Sequence, residues 1–182
     1  MDGILISLRA VVFFTLLTGF VYPLLILLAG RVAFSDQARG SLIKKDGKVL
    51  GSELIGQNFE QPQYFQSRPS ATSPKGYNGE ASSGSNYGPL HPDYLKAVAE
   101  RKAALGPGAP LDLLTASASG LDPHISREAA RFQSARVAAA RRVSVDEIWR
   151  IVERHTEGRQ FGVLGEERVN VLKLNLALDV VK

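Results

Sequence analysis

The chain has 182 residues, of which 45% are hydrophobic and 22% charged, with a formal net charge of +4 and no cysteine. This size suits one compact domain with an appendage, and the lack of cysteine excludes disulfide bonds, thiolate metal sites and cysteine nucleophiles. The surplus of Lys and Arg is spread along the chain, without basic runs that alternate with aromatic residues. The sequence therefore predicts no nucleic-acid partner.

The first predicted element is a transmembrane helix over residues 10–30, which follows a short N-terminal flank at residues 1–9. The stretch has no charged residue, and at about 1.5 Å per residue it reaches roughly 31 Å, enough for the hydrocarbon core of a bilayer. A cleaved signal peptide is the alternative, but its apolar region is shorter, about 7–15 residues. Leu28 and Arg31 also disrupt the expected cleavage patterns. The sequence favours an uncleaved, single-pass anchor.

Pro23, directly after Tyr22, is expected to disturb this helix because proline lacks a backbone donor. Gly19, one turn earlier, suits close packing against another helix. Basic residues flank the stretch on both sides, and charge has little effect on long translocated domains, so the sequence alone leaves the orientation open.

The fold class predicted for residues 31–182 is α/β (α+β): a single compact soluble domain with about three helices and a small sheet. A β-hairpin, or a strand and turn, is expected around Asp46-Gly47, and Tyr64 and Phe65 are expected to anchor a loop onto the core. Residues 67–90 are rich in Gly, Ser and Asn and follow neither the helical nor the strand period. They indicate either a mobile linker or an ordered loop that faces a partner, and Tyr77 favours order.

Start and stop signals predict the three helices. The first begins at Pro92 and ends before Gly106; the second has Asp122 as its N-cap and places His124 in its first turn. The third begins at the capping box formed by Ser144 and Glu147.

Two further elements complete the predicted domain. Residues 111–114 indicate a short strand or turn that enters the core. Residues 169–178 alternate leucines with other residues, which predicts a strand with one buried face.

The segment "SASGLDPHIS", residues 117–126, contains the residue types of a hydrolase triad. A membrane-anchored serine hydrolase that uses Ser117 or Ser119 with His124 is therefore one hypothesis. No G-x-S-x-G elbow is present, and the chemistry of a helix start explains Asp122 more fully. The histidines lack the spacing of metal ligands and no nucleotide-binding loop motif occurs, so neither a metal site nor catalysis is predicted. A third hypothesis is an extracytoplasmic binding module.

The whole chain resembles one known family, the C subunit of the Kdp potassium-transporting P-type ATPase of bacteria. The resemblance depends on motifs in a fixed order: "YP" inside the span, "GSELIGQNF", "YFQSRPS", "GSNYGP", "TASASGLDPHIS", "RVAAAR" and "RVNVLKLNLALD". It implies a non-catalytic subunit of a four-part pump in the inner membrane. The implied partners are a potassium-binding, channel-like subunit, an ATP-hydrolysing subunit that is phosphorylated on aspartate, and a small membrane peptide.

Two roles follow from this resemblance. As a catalytic chaperone the chain would raise the ATP affinity of the hydrolysing subunit; as a structural stabiliser it would lie near the potassium entrance, and the resemblance favours an extracytoplasmic domain. It implies no tightly bound cofactor, with ATP reached through the hydrolysing subunit. The segment "VSVDE" lacks the glycines of an ABC-type signature, so no nucleotide-binding residue is assigned. The candidate partner contacts are Tyr22, Pro23, Ser117, Ser119, Asp122, His124 and Arg136.

Overall fold

The computed structural model of the protein describes residues 2–180, in two units that divide after Leu42. The predicted bounds at residue 1 and at residues 181–182 lie outside the described part of the chain. The first unit is dominated by an apolar helix and the second is a compact mixed α/β domain, which confirms the predicted fold class.

The apolar helix runs from Gly3 to Ala33 and is long and apolar enough to cross a membrane. Its regular parts are α1 (Asp2–Leu16) and α2 (Tyr22–Ala33). At about 1.5 Å per residue the helix reaches roughly 46 Å, which exceeds the hydrocarbon thickness of about 30 Å. Its large apolar side chains are exposed, as a helix surrounded by lipid requires.

A π-helical turn, Leu17–Val21, separates α1 from α2, and the N–H of Tyr22 donates to the carbonyl of Leu17. Pro23 then lies in the first turn of α2, where its missing N–H is tolerated. The irregularity predicted at the proline therefore takes the form of a widened turn just before it.

The compact domain begins with the predicted hairpin, made of β1 (Leu42–Lys45) and β2 (Lys48–Ser52). Asp46 and Gly47 both have positive φ, 51° and 75°. Turns with two positive φ angles match the right-handed twist of the strands that they join, which explains why Asp-Gly occurs here.

A three-stranded antiparallel sheet lies at the centre of the domain, with β3 (His124–Ser126), β5 (Arg168–Asn170) and β4 (Thr156–Glu157) in that spatial order. Ile125 of β3 and Thr156 of β4 both pair with Val169 of β5. Ile125 and Val169 are buried, so the short sheet supplies part of the core.

Between residues 43 and 180, five α-helices accompany the sheet, and three of them are the predicted ones: α3 (Pro92–Leu105), α5 (Arg127–Arg141) and α6 (Val145–Arg154). The predicted N-cap of α6 is confirmed, since the Ser144 hydroxyl accepts from the N–H of Glu147 at 3.2 Å. The segment predicted as a short strand or turn is instead the single-turn helix α4 (Leu111–Leu114), which buries two of its leucines. The last helix of the described residues is α7 (Val171–Leu178). The largest fully buried side chains include Phe65, Ile125, Ile148, Leu174 and Leu178.

The predicted start of the second helix is wrong. Residues 124–126 form β3, and α5 begins only at Arg127, with the Ser126 hydroxyl accepting from the N–H of Ala129 at 3.0 Å. Pairing with β5 buries Ile125, and this long-range contact outweighs the local helix-start signal of Asp122-Pro123.

The predicted strand over residues 169–178 is also wrong beyond Asn170. The Asn170 side-chain oxygen accepts from the N–H of Lys173 at 3.1 Å and caps α7. Residues 171, 172, 174, 175 and 178 are buried, which is the spacing of one helical face. The alternating leucines suggested a strand, but the complete set of buried positions has the helical period.

Two side-chain amides hold the chain at Phe65 and Gln66; we call these pairs the amide clamps. Asn175 of α7 accepts from the N–H of Phe65 at 2.8 Å and donates to its carbonyl at 2.9 Å. Gln133 of α5 makes the same pair of bonds to Gln66, at 2.8 and 3.0 Å. Phe65 is fully buried, so the predicted loop anchor is confirmed, and its backbone depends on Asn175 for partners.

Residues 67–90 form an ordered loop whose only regular element is a short 3-10 turn, Gly79–Ala81. Ser70 organises the loop: its hydroxyl donates to the carbonyl of Gly120 at 2.7 Å and accepts from the N–H of Tyr77 at 2.9 Å. The Thr72 hydroxyl donates to the carbonyl of Lys75 at 2.7 Å. Serine and threonine thus replace the missing sheet or helix partners of the loop backbone.

Glycines allow the loop to approach residues 118–120 closely. A Cβ atom at Gly84 would lie 2.7 Å from the carbonyl oxygen of Ala118. Gly120 has a φ of +68°, and a Cβ there would lie 2.8 Å from the carbonyl oxygen of Ser83. Both obstacles are backbone atoms, so no side-chain rotation relieves them.

We expect Asn175→Ala to lower the free energy of unfolding by about 2–5 kcal/mol, because it leaves two buried backbone groups of Phe65 without partners. The measurement is urea unfolding of the full chain in detergent, followed by the fluorescence of Trp149. Asn58→Ala is the matched control, since the Asn58 amide bonds only to the exposed Glu60 carboxylate. Equal unfolding midpoints for the two variants would contradict the amide clamp.

We expect Gly84→Ala to loosen the loop, since the added methyl group collides with the Ala118 carbonyl. Trypsin cleavage after the exposed Lys75 should accelerate about tenfold, the change that roughly 1.4 kcal/mol of lost docking free energy produces. Gly88→Ala is the control, because nothing lies within 4 Å of a Cβ at that position. Identical cleavage rates for both variants would show that the close approach does not hold the loop.

Candidate functional site at the loop junction

The candidate site is the contact between residues 67–84 and residues 117–124, which we call the loop junction. Backbone hydrogen bonds join the two segments: the N–H of Ser117 donates to the carbonyl of Pro69 at 3.2 Å, and the N–H of Ser83 donates to that of Ser119 at 3.1 Å. The junction thus unites the Gly/Ser/Asn loop with the segment that contains the triad-like residues.

Asp122 is the polar centre of the junction. One carboxylate oxygen lies 3.1 Å from Nη1 of Arg68, and the other accepts from the N–H of His124 at 3.0 Å. Nδ1 of the His124 ring lies 3.6 Å from the latter oxygen. Asp122 therefore ties the loop to the start of β3, a different role from the predicted helix cap.

The pKa values of two groups in the junction, Asp122 and Tyr77, are shifted further from neutral pH. Burial alone would raise the pKa of the Asp122 carboxyl, but the hydrogen bonds from His124 and the Arg68 ion pair outweigh it and hold this pKa below its usual value. Burial raises the pKa of the Tyr77 hydroxyl, which donates to the carbonyl of Arg68. Asp122 stays ionised and Tyr77 protonated near neutral pH, so neither group suits general acid–base catalysis there.

Both candidate serines lie in the junction. Ser117 is buried, while the hydroxyl of exposed Ser119 accepts from the N–H of Leu121 at 3.1 Å. Between residues 2 and 180, no serine hydroxyl is hydrogen-bonded to the His124 ring. The geometry therefore supplies no nucleophile–base pair for the hydrolase hypothesis.

Arg136 lies on α5, away from the triad-like segment, and its guanidinium is used within the domain. It donates to the carbonyl oxygens of Pro62 and Tyr64 at 2.7 and 3.0 Å, and burial lowers its pKa. Arg141 likewise donates to the carbonyl of Gln63 at 2.9 Å, so both guanidinium groups bond to backbone of the same domain. A contact of Arg136 with a partner stays a prediction.

The remaining candidates, Tyr22 and Pro23, belong to the apolar helix. The Tyr22 side chain is exposed and directly follows the π-helical turn. The structure thus brings together Ser117, Ser119 and the Asp122–His124 pair, and places the other candidates elsewhere in the chain.

Sequence reasoning missed two arginines near the junction, Arg68 and Arg101. Arg68 pairs with Asp122, and Nη1 of Arg101 donates to the carbonyl of Leu114 at 2.8 Å. No local pattern marks Arg101, which looks like an ordinary surface residue of α3. Throughout the described part of the chain, no group of three His, Asp or Glu side chains is placed to hold a metal ion.

Comparison with known proteins gives consistent matches over nearly the whole chain. The family described as KdpC, the c chain of K⁺-transporting ATPases, matches residues 4–180. The potassium-transporting ATPase KdpC subunit of Methylococcus capsulatus is 59% identical over 175 residues, which cover 92% of each chain.

Two further relatives bear the same name. The subunit of Herpetosiphon aurantiacus is 53% identical over 97% of this chain and 95% of its own. That of Sorangium cellulosum is 57% identical over 90% of each chain. Since identity at this level extends through both the apolar helix and the compact domain, the chain belongs to the KdpC family, the c chains of K⁺-transporting ATPases.

Proposed function

We propose that the chain is a non-catalytic subunit of an ATP-driven, high-affinity potassium uptake pump, where it stabilises the complex and raises the ATP affinity of the hydrolysing subunit. The observation that supports this most is the loop junction. The hydroxyls of Ser70 and Ser119 bond to backbone groups, and the Asp122–His124 pair is held by Arg68 and the backbone. Such a site offers a rigid surface for recognition and no activated nucleophile.

The proposed partners are a potassium-binding, channel-like subunit, a P-type subunit that hydrolyses ATP, and a small membrane peptide. The apolar helix would anchor the chain in the bacterial inner membrane and contact partner helices near Tyr22 and Pro23. The π-helical turn supports such a contact, because its widened backbone distinguishes this part of the helix from a uniform anchor.

The proposed position of the compact domain is extracytoplasmic, with no tightly bound cofactor. In that position the domain does not reach cytoplasmic ATP, so its effect on ATP affinity passes through contacts with the other subunits. A binding event changes affinity at a second site only when it favours one conformation of the partner. A domain whose loops are already ordered loses little conformational entropy when it binds, so more of its binding free energy is available to favour one conformation of the partner.

We expect deletion of residues 10–30 to prevent recovery of the chain with the pump when another subunit carries the affinity tag. The double variant Tyr22→Leu/Pro23→Leu keeps a long apolar helix and should lower recovery by at least severalfold, since it removes the π-turn region's distinctive side chains. Ile4→Leu in the same helix is the control and should leave recovery unchanged. An intact, active complex that contains the chain without residues 10–30 would contradict the proposal.

The orientation of the domain is tested by one cysteine in a chain that otherwise has none. Ser83 is exposed, and we expect Ser83→Cys to react with a membrane-impermeant maleimide in intact cells. A membrane-permeant maleimide gives the total reactive fraction. Labelling by the permeant reagent alone would place the domain in the cytoplasm and contradict the extracytoplasmic assignment.

A further inference from the structure

A cavity of about 460 Å³ lies beside the loop junction. Tyr94, Ala97 and Arg101 of α3 form one side, and residues 84–87 and 116–118 form the others. The tight contact of Gly84 with the Ala118 carbonyl fixes two of these walls against each other. The cavity is therefore built by the same docking that orders the loop.

The charged side chains that line this cavity are all basic. Its lining includes two arginines, Arg68 and Arg101, and no aspartate or glutamate. Asp122 neutralises Arg68 across 3.1 Å. Arg101 forms no ion pair with any residue between 2 and 180, and its one hydrogen bond runs from Nη1 to the carbonyl of Leu114. A partly buried guanidinium that contacts only a carbonyl retains a full charge that a carboxylate would stabilise.

Other lining groups suit an acidic ligand as well. The Tyr94 hydroxyl and the Asn86 amide form no hydrogen bond within the described part of the chain, and both are able to donate. Nε of Arg68, buried in the adjoining wall, also has no partner there. These donors are therefore available to hydrogen-bond a carboxylate that enters the cavity.

We define the rim as Tyr87, which lines the cavity, and Leu90, three residues further along the chain; its side chains are aromatic and apolar. Tyr87 is 43% exposed and stacks on His91 with ring centroids 4.4 Å apart, and Leu90, which follows in the chain, is 86% exposed. A free inorganic anion gains nothing from such side chains, whereas protein–protein contacts favour arginine surrounded by aromatic groups. The rim therefore points to a protein ligand.

We propose that this cavity receives an aspartate or glutamate side chain of another pump subunit, with Arg101 as its ion-pair partner. The inference rests on the proposed function, since it requires that the chain assembles with a partner. The guanidinium offers its remaining N–H groups to the carboxylate, while Tyr87 and Leu90 cover the neighbouring residues of the acidic segment.

The test uses the assembled pump, purified through an affinity tag on another subunit and washed with increasing NaCl. Arg101→Glu should reduce the retained fraction of this chain at least tenfold. Lys102→Glu makes the same charge change on the adjacent residue, which does not line the cavity, and should behave like the wild type. Equal retention of the two variants would overturn the inference.

A second variant separates binding from folding. Arg101→Gln removes the positive charge but keeps a polar, shorter side chain, and it should also reduce retention, while its thermal unfolding as the full chain in detergent stays within about 2 °C of the wild type. Inorganic phosphate that raises the unfolding temperature of the wild type, and not of Arg101→Gln, would indicate a site for a small anion and overturn the assignment to a protein. Failure of the wild-type chain to co-purify would overturn the proposed function, and this inference with it.

Discussion

The long loop depends on the amide clamps, in which Asn175 and Gln133 pair with both backbone groups of Phe65 and Gln66. These backbone groups lie against the core, where each would cost about 1–3 kcal/mol without a partner. The clamps use helix side chains to replace an absent neighbouring strand. Arg68 and Ser70 follow within a few residues, so the clamps position the loop junction as well.

An ordered loop made of Gly, Ser, Thr and Asn requires a different source of stability from a helix or strand. Small hydroxyl side chains satisfy its backbone, as Ser70 and Thr72 do, and glycines such as Gly84 allow backbone to rest on backbone. The result is a surface whose loop backbone already has its hydrogen-bond partners within the chain. A pre-organised surface loses little entropy on association, which agrees with an accessory subunit that acts through contact.

Local chemistry predicted those parts of the fold that depend on neighbouring residues: the apolar helix, the Asp46-Gly47 hairpin, the start of α3 and the Ser144 cap. It failed where contacts between residues far apart in the sequence determine the secondary structure. Pairing with Val169 converts residues 124–126 into a strand, and the Asn170 cap turns the following leucines into a helix. The Asp122–His124 pair was found by residue type, whereas Arg68 and Arg101 were missed because only the folded chain places them beside the junction.

We propose that the chain raises the ATP affinity of the hydrolysing subunit and carries out no reaction itself. The most direct measurement compares the KM for ATP of a pump preparation depleted of this chain before and after the purified full chain is added back. The account predicts that addition lowers the KM, while the chain alone hydrolyses neither ATP nor a carboxylic ester. An unchanged KM, or turnover by the chain alone, would contradict it.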